Sequence, residues 1–220
     1  MLYKQNTLPM SWSLSYKLDE FVVTKCNRYA FEWLSKWPLK INENFACIIG
    51  ESGSGKTNLA WIWAKRMDAT FLTANSISDT WFEISPEKNK YFVLDDIDEV
   101  DDDILLFFIY NSIKENNAYL LLTAKNPPIK WNIKLVDLKS RIFTISMLNI
   151  QRPNEEAILG IIRQILKQRG LRISDSAIGY IINNMERSYE AIMHLMSKIE
   201  ENLDRKNEIT LNFVKKIIDL

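Results

Sequence analysis

Gly50-Glu51-Ser52-Gly53-Ser54-Gly55-Lys56-Thr57 is the stretch that decides the fold. Its spacing is that of a complete phosphate-binding loop. The preceding Phe45-Ala46-Cys47-Ile48-Ile49 reads as a buried strand, and the following Asn58-Leu59-Ala60-Trp61-Ile62-Trp63-Ala64 reads as a helix. Strand, loop and helix in that order carry more weight than the string alone. Glycines let the backbone curl so that the N–H groups of Glu51, Ser52, Gly53, Ser54 and Gly55 turn inward on phosphate oxygens, helped by the partial positive charge of a helix N-terminus. Lys56 is expected to reach the β- and γ-phosphates and the Thr57 hydroxyl to sit on Mg²⁺, with Asn58 beside the bound nucleotide.

Working outward, Tyr91-Phe92-Val93-Leu94 is a continuous apolar run ending in Asp95-Asp96. A strand covered on both faces of a parallel sheet reads this way. A carboxylate at the carboxyl end of such a strand lies beside the loop. Asp95 is therefore a candidate Mg²⁺ ligand, and Asp96 a candidate to polarise an attacking water. The later acids of the segment, Asp98, Glu99 and Asp101 to Asp103, read as a solvated loop and helix cap. Further strands are expected at 70–73, 119–123 and 142–145, and helices near 28–37, 58–67 and 103–114. Residues 74–90 read as polar and irregular. Strands alternating with helices predict an α/β fold with a parallel sheet and right-handed crossovers. After about Leu148 the apolar period becomes helical. Four amphipathic helices follow, the first closed by Gly170 and the last capped by Thr210.

Three polar residues lie near strand ends. Asn126 follows the fourth strand and can contact a γ-phosphate or water, or serve as a turn residue before Pro127. Arg141 precedes the expected last strand. Its planar fork suits a phosphate held by a neighbouring subunit, and equally a surface ion pair. Arg187, expected to begin the third helix of the C-terminal bundle, either swings over the nucleotide or is an exposed helix residue.

Composition bounds the remaining classes. With 28 basic and 28 acidic residues the net charge is zero, which argues against a chain built to coat nucleic acid. Cys26 and Cys47 give no disulfide framework, and Cys47 falls inside a core strand. The single histidine, His194, leaves no basis for a histidine metal site. No signal-peptide pattern or bilayer-length apolar run is present, so a cytoplasmic location and no membrane partner are expected.

Together these segments resemble the AAA+ ATPases of the DnaA-type replication-initiator branch. Phe21 to Ala30 is similar to the segment that wraps the adenine. Gly50 to Leu59 is similar to the phosphate loop, and Leu94-Asp95-Asp96-Ile97 to the acidic strand end. Leu122-Thr123-Ala124-Lys125-Asn126-Pro127-Pro128 resembles the first sensor, Leu138-Lys139-Ser140-Arg141 the arginine-finger segment, and Glu186-Arg187-Ser188 the second sensor. The resemblance runs from about residue 17 to the end. It implies that Val22, Val23, Asn27 and Arg187 bind ADP or ATP with Mg²⁺, and that Arg141 acts in trans. Lys125 departs from the pattern, which has an acidic residue there. A cation favours binding by charge but does not position water, so intrinsic hydrolysis is weakened more than binding.

Two features make the chain most similar to the short regulatory homologues that inactivate the initiator. No DNA-reading helix-turn-helix follows the bundle, and 74–90 is too short for a single-strand-gripping insertion. Gln5-Asn6-Thr7-Leu8-Pro9-Met10 resembles a sliding-clamp docking peptide, with Gln5 at the rim and Leu8 and Pro9 in an apolar pocket, although Asn6 replaces the expected leucine. The implied partners are the DnaA initiator and the DNA polymerase sliding clamp (its β subunit), with DNA touched only indirectly and homo-oligomers allowed. A helicase loader and a localisation adaptor are the competing readings. The expected division is a tail at 1–16, an AAA+ unit at 17–148 and a helical lid at 149–220.

Overall fold

The computed structural model of the protein describes residues 21–84, 89–202 and 208–218. Five strands form one parallel sheet in the order β2-β3-β4-β1-β5: β1 (Phe45–Ile49), β2 (Thr70–Thr73), β3 (Tyr91–Asp95), β4 (Tyr119–Ala124) and β5 (Ser146–Asn149). Placing β1 between β4 and β5 brings the loop after β1 next to the ends of β3 and β4, where polar groups gather in open parallel sheets.

Alternation along the strands sorts two cores. Phe45, Cys47 and Ile49, with Phe92, Leu94, Leu120 and Leu122, face α4 (Asp103–Glu115) and α5 (Val136–Ile142). Ala46, Ile48, Val93, Leu121 and Leu148 face α1 (Arg28–Lys36) and α2 (Lys56–Met67). Both faces are covered, so β1, β3 and β4 are apolar at nearly every position rather than at every second one. Tryptophan fills both layers. Trp37 and Trp63 stack at 4.7 Å on one side, while Trp81 and Trp131 are buried on the other. Arg66 of α2 donates to the carbonyls of Leu34, Ser35 and Trp37 at 2.6, 2.9 and 2.6 Å. It thereby satisfies the acceptors that the end of α1 leaves open.

A third core belongs to the C-terminal helices α6 (Glu155–Gln168), α7 (Asp175–Asn184), α8 (Tyr189–Asn202) and α9 (Leu211–Ile218). Asn154 and Ser174 accept from the N–H groups of Ala157 and Ala177 and so cap α6 and α7. Gly170, with φ of +65°, closes α6.

Several expectations are corrected. The last strand is at 146–149, not 142–145. Leu138 and Ile142 are buried at helical spacing in α5, and the chain turns before pairing with β1. Strand structure also continues past 149, because β6 (Arg172–Ile173) pairs with β7 (Glu208–Ile209) inside the helical unit. The stretch expected to be irregular holds a helical turn, α3 (Ile77–Thr80), and a 3₁₀ turn at Trp81–Glu83. Ile77 and Trp81 anchor both in the core at 1% and 2% exposure. Tyr29 in α1 is 64% exposed, although the helix's other large apolar side chains face inward or are partly covered.

Trp37 is sealed between α1, α2 and the sheet, and its indole N–H donates to the Glu43 carbonyl at 2.6 Å. Trp37→Ala removes both packing and that donor. It is expected to cost about 3–5 kcal/mol in urea unfolding, the range for large aromatic truncations in a core. A loss below about 1 kcal/mol would show that this layer is not the tight core described.

Candidate nucleotide-binding site

The loop after β1 is anchored on both sides. The Gly50 N–H donates to the Ala124 carbonyl at 3.2 Å, and the Ile150 N–H to the Ile49 carbonyl at 2.7 Å. Gly55 begins α2 at φ of +92°, a conformation that other L-residues rarely adopt. No side chain of the described residues caps α2, which leaves its first N–H groups to the cavity in front of it. The Lys56 ammonium folds back onto the Glu51 carbonyl at 3.2 Å. Burial pushes its pKa down, against the pull of Asp96, Asp95 and Asp98. A half-desolvated ammonium above open N–H groups is a strong anion site.

Asp95 is the hub of the acidic side. The Thr57 hydroxyl donates to its carboxylate at 3.0 Å, and the Thr123 hydroxyl at 2.5 Å. The Thr123 oxygen also accepts from the Asp96 N–H at 2.9 Å. Asp96 lies in the left-handed region (φ 56°) immediately after the strand. Burial raises its carboxyl pKa, the Asp95 charge adds to this, and Lys56 opposes it.

The described residues contain no cluster of three or more metal-ligating side chains. Thr57 and Asp95 nevertheless form the adjacent oxygen pair that Mg²⁺ takes when phosphate and water complete its shell. The residues present thus fit a Mg²⁺-nucleotide, and Thr57 and Asp95 are the ones that would hold the ion.

An apolar pocket lies on the far side of Gly53, lined by Phe21, Val22, Ile161, Ile165, Tyr189 and Met193. Asn27 shapes its entrance by donating to the Val22 carbonyl at 2.9 Å and accepting from the Thr24 N–H at 2.8 Å. Helix α6 approaches closely at Gly160, where a Cβ would lie 2.8 Å from Val22. Ser54 Oγ and Asn58 Oδ1 are buried in this pocket wall without a hydrogen-bond partner among the described residues. Buried polar atoms of this kind call for a ligand or water. Gly53 and Met193 are shared with a second, polar cavity that includes Glu51, Ser52, Lys125, Arg152 and His194. An apolar pocket thus adjoins a polar cavity across the loop after β1.

The structure brings Val22, Asn27, Asn58, Lys56, Thr57, Asp95, Asp96 and the loop together. Val23 is partly buried beside Val22 but does not line the pocket. Asn126 does not line either cavity. Its N–H donates to Asp98 at 3.0 Å, and its carbonyl accepts from the Trp131 indole at 2.6 Å. Arg187 precedes α8 rather than beginning it, and pairs with Glu155 at 2.6 Å away from the loop. Arg141 lies on α5, over the rings of Phe107 and Tyr110 at 4.7 and 5.4 Å, and donates to the Asn111 side chain. Gln5, Leu8 and Pro9 lie outside the described residues.

Sequence reading missed four contributors: Thr123, Asp98, Arg152 and Tyr189. Thr123 had a visible signal, a hydroxyl closing an apolar strand. Tyr189 had none; it starts α8, yet it is buried against the sheet core and donates to the Gln151 carbonyl at 3.3 Å.

Comparison with known proteins bears on the fold. No protein-family model matches the chain. It is 26% identical over 229 residues to the chromosomal replication initiator protein DnaA of Wolinella succinogenes, covering 93% of the chain and 52% of that protein. An uncharacterized protein of Haemophilus influenzae is 25% identical over 230 residues, with 99% of each covered. The chain spans about half the length of the DnaA relatives it matches. Domain III of the Thermotoga maritima initiator superposes with a TM-score of 0.74 at 18% identity, covering 93% of this chain and 95% of that one. Thermotoga maritima RuvB, a Holliday junction branch migration motor, gives 0.70 at 18% identity, over 94% and 72%. The fold is the AAA+ fold of DnaA domain III and RuvB. Sequence relatives and structural neighbours together support a DnaA-like AAA+ chain. Among the described residues no helix is long and apolar enough to cross a membrane.

The Asp96 carboxyl has a consequence for stability. Its pKa is higher folded than unfolded, so folding binds a proton between the two values and stability falls as pH rises through that window. The full cost is present above that window. Asn tolerates the left-handed conformation and carries no charge. Asp96→Asn is therefore expected to melt at a higher temperature than the parent at pH 7 without nucleotide. The difference should shrink below about pH 4, the ordinary carboxylate range.

Proposed function

We propose that this chain is a nucleotide-binding regulator of replication initiation, of the kind represented by the inactivator Hda, with an AAA+ unit at 17–148 and a helical lid at 149–220. It holds ADP or ATP with Mg²⁺ between those units. It docks on the β sliding clamp through Gln5, Leu8 and Pro9, and presents Arg141 to ATP held by the initiator DnaA. Initiator-bound ATP becomes ADP, and the initiator is switched off.

The observation that carries this reading is the setting of Arg141. It does not line its own phosphate cavity, and α4 holds its guanidinium on an aromatic platform with Asn111 as partner. An arginine held rigid and turned away from its own nucleotide suits a neighbour's phosphate. Such a residue supplied across an interface stabilises charge on the transferring phosphoryl group, and is worth about 10³ to 10⁵ in rate in GTPase examples. A solved structural neighbour is DnaA bound to AMPPCP, in line with nucleotide in the homologous pocket. Bound nucleotide in this chain would mainly fix the lid against the α/β unit.

A second reading rests on the intact Thr57–Asp95–Asp96 constellation. It makes the chain an ATPase that uses its own turnover, as a helicase loader or a localisation adaptor for replication proteins.

Both arms can be measured. Arg141→Ala is expected to bring stimulation of DnaA-bound ATP hydrolysis, on clamp-loaded DNA, down to the unstimulated rate while clamp binding persists. Gln5→Ala/Leu8→Ala is expected to abolish micromolar clamp binding. Stimulation that survives Arg141→Ala would sink the trans-arginine role. Substantial ATP turnover by the isolated chain, with no clamp binding, would move the reading to the second alternative.

A further inference from the structure

We propose that the outer face of α4, together with the 3₁₀ turn at Trp81–Glu83, is a docking site for a cationic amphipathic helix of another protein. The inference is independent of the nucleotide site.

Three large apolar side chains stand out of the surface here. Phe82 is 70% exposed, Ile104 77% and Phe108 50%. They are contiguous. Ile104 and Phe108 are one turn apart on the outward face of α4, and the Phe82 and Phe108 rings lie 5.6 Å apart. Single exposed apolar residues are ordinary, but a joined group of this size marks an interaction surface. The fold does not use them, because Trp81, Leu105, Leu106 and Ile109 are the neighbours that fill the core beneath. Phe107 turns instead toward α5, under the Arg141 guanidinium, so the group is distinct from the setting of Arg141. Two anchors one turn apart beside an aromatic ring match the i and i+4 side chains of a helix laid across them.

Charge selects the partner. The chain as a whole is neutral, but 97–115 holds six acidic residues and one basic one, Lys114 in the last turn of α4. Asp98, Asp102 and Asp103 accept from the backbone N–H groups of Lys125, Leu105 and Leu135. Glu99 and Asp101, before α4, and Glu83, beside Phe82, are exposed and make no ion pair among the described residues. Such a rim repels nucleic acid and anionic membranes. It also sets like charge against like when two copies meet through this face. A helix with an apolar stripe flanked by Lys or Arg satisfies both parts of the surface. Its stripe covers Phe82, Ile104 and Phe108, and its cations meet the acids.

The test is fluorescence anisotropy of a labelled amphipathic Leu/Lys peptide titrated with the full chain. A Leu/Glu peptide with the same apolar stripe is the control. The Leu/Lys peptide is expected to bind at about micromolar Kd and the Leu/Glu peptide not to bind. Ile104→Ser/Phe108→Ser is expected to weaken binding about tenfold or more. Glu83→Lys/Asp101→Lys is expected to weaken it about threefold or more, and added salt to weaken it in the parent. All four side chains are exposed, so the variants should fold, and circular dichroism checks this. No binding by the parent, equal binding of both peptides, or unchanged affinity in Ile104→Ser/Phe108→Ser would overturn the proposal. Self-association of the parent in sedimentation, lost in that same variant, would assign the face to a second copy and overturn it too.

Discussion

The Asp95 carboxylate is the interaction on which the site depends. It is buried at the end of β3 and receives hydroxyls from Thr57, at the start of α2, and Thr123, in β4. A carboxylate removed from water is tolerated only when its lone pairs are satisfied, and two donors from two different elements do that here. The same bonds fix the distance between the phosphate loop and the acidic strand end. Thr123 extends the arrangement by accepting from the Asp96 N–H, which helps hold Asp96 in its left-handed turn. The phosphate loop, the Thr57 and Asp95 oxygens and Asp96 are thus one hydrogen-bonded unit. Its geometry is inherited from the parallel pairing of β3 with β4 and of β4 with β1.

That unit is not optimised for stability. Among the described residues Lys56 is partly desolvated with a carbonyl as its direct partner, Asp96 has its carboxyl pushed toward the protonated form, and Ser54 and Asn58 bury polar atoms without partners. Each costs free energy in the isolated chain, and an anionic ligand with hydrogen-bonding groups would relieve Lys56, Ser54 and Asn58, though not Asp96. Local violations of good packing chemistry concentrate at functional sites in this way. The surrounding core, with Trp37, Trp63 and Trp81 almost wholly enclosed, offsets them.

The helical unit is joined to this site by contacts as well as by the chain. Tyr189, at the start of α8, is buried with the α1–α2 face of the sheet, and a Cβ on Gly53 would lie 3.4 Å from it. Arg152, just before α6, pairs with Glu51 of the phosphate loop at 2.7 Å. Movement of the helices therefore reaches the loop directly. Arg141 lies in a different setting, on α5 against α4, and does not line the polar cavity.

The class of fold was legible because its signals are local. A phosphate loop needs glycines at fixed spacing, and strands covered on both faces must be apolar throughout, so β1, β3 and β4 could be read directly. Amphipathic periodicity showed α6 to α9 for the same reason. The last strand was misplaced because Ile142 and Ile145 fit a β-rich reading, while burial of Leu138 and Ile142 on one face extended α5 through them. What only the tertiary structure decided was which groups meet. Strand order set Thr123 against Asp95, turn geometry aimed Lys125 rather than Asn126 into the phosphate cavity, and packing of α8 brought Tyr189 under the loop. Those outcomes depend on contacts between residues far apart in the chain, and local spacing carries no record of them.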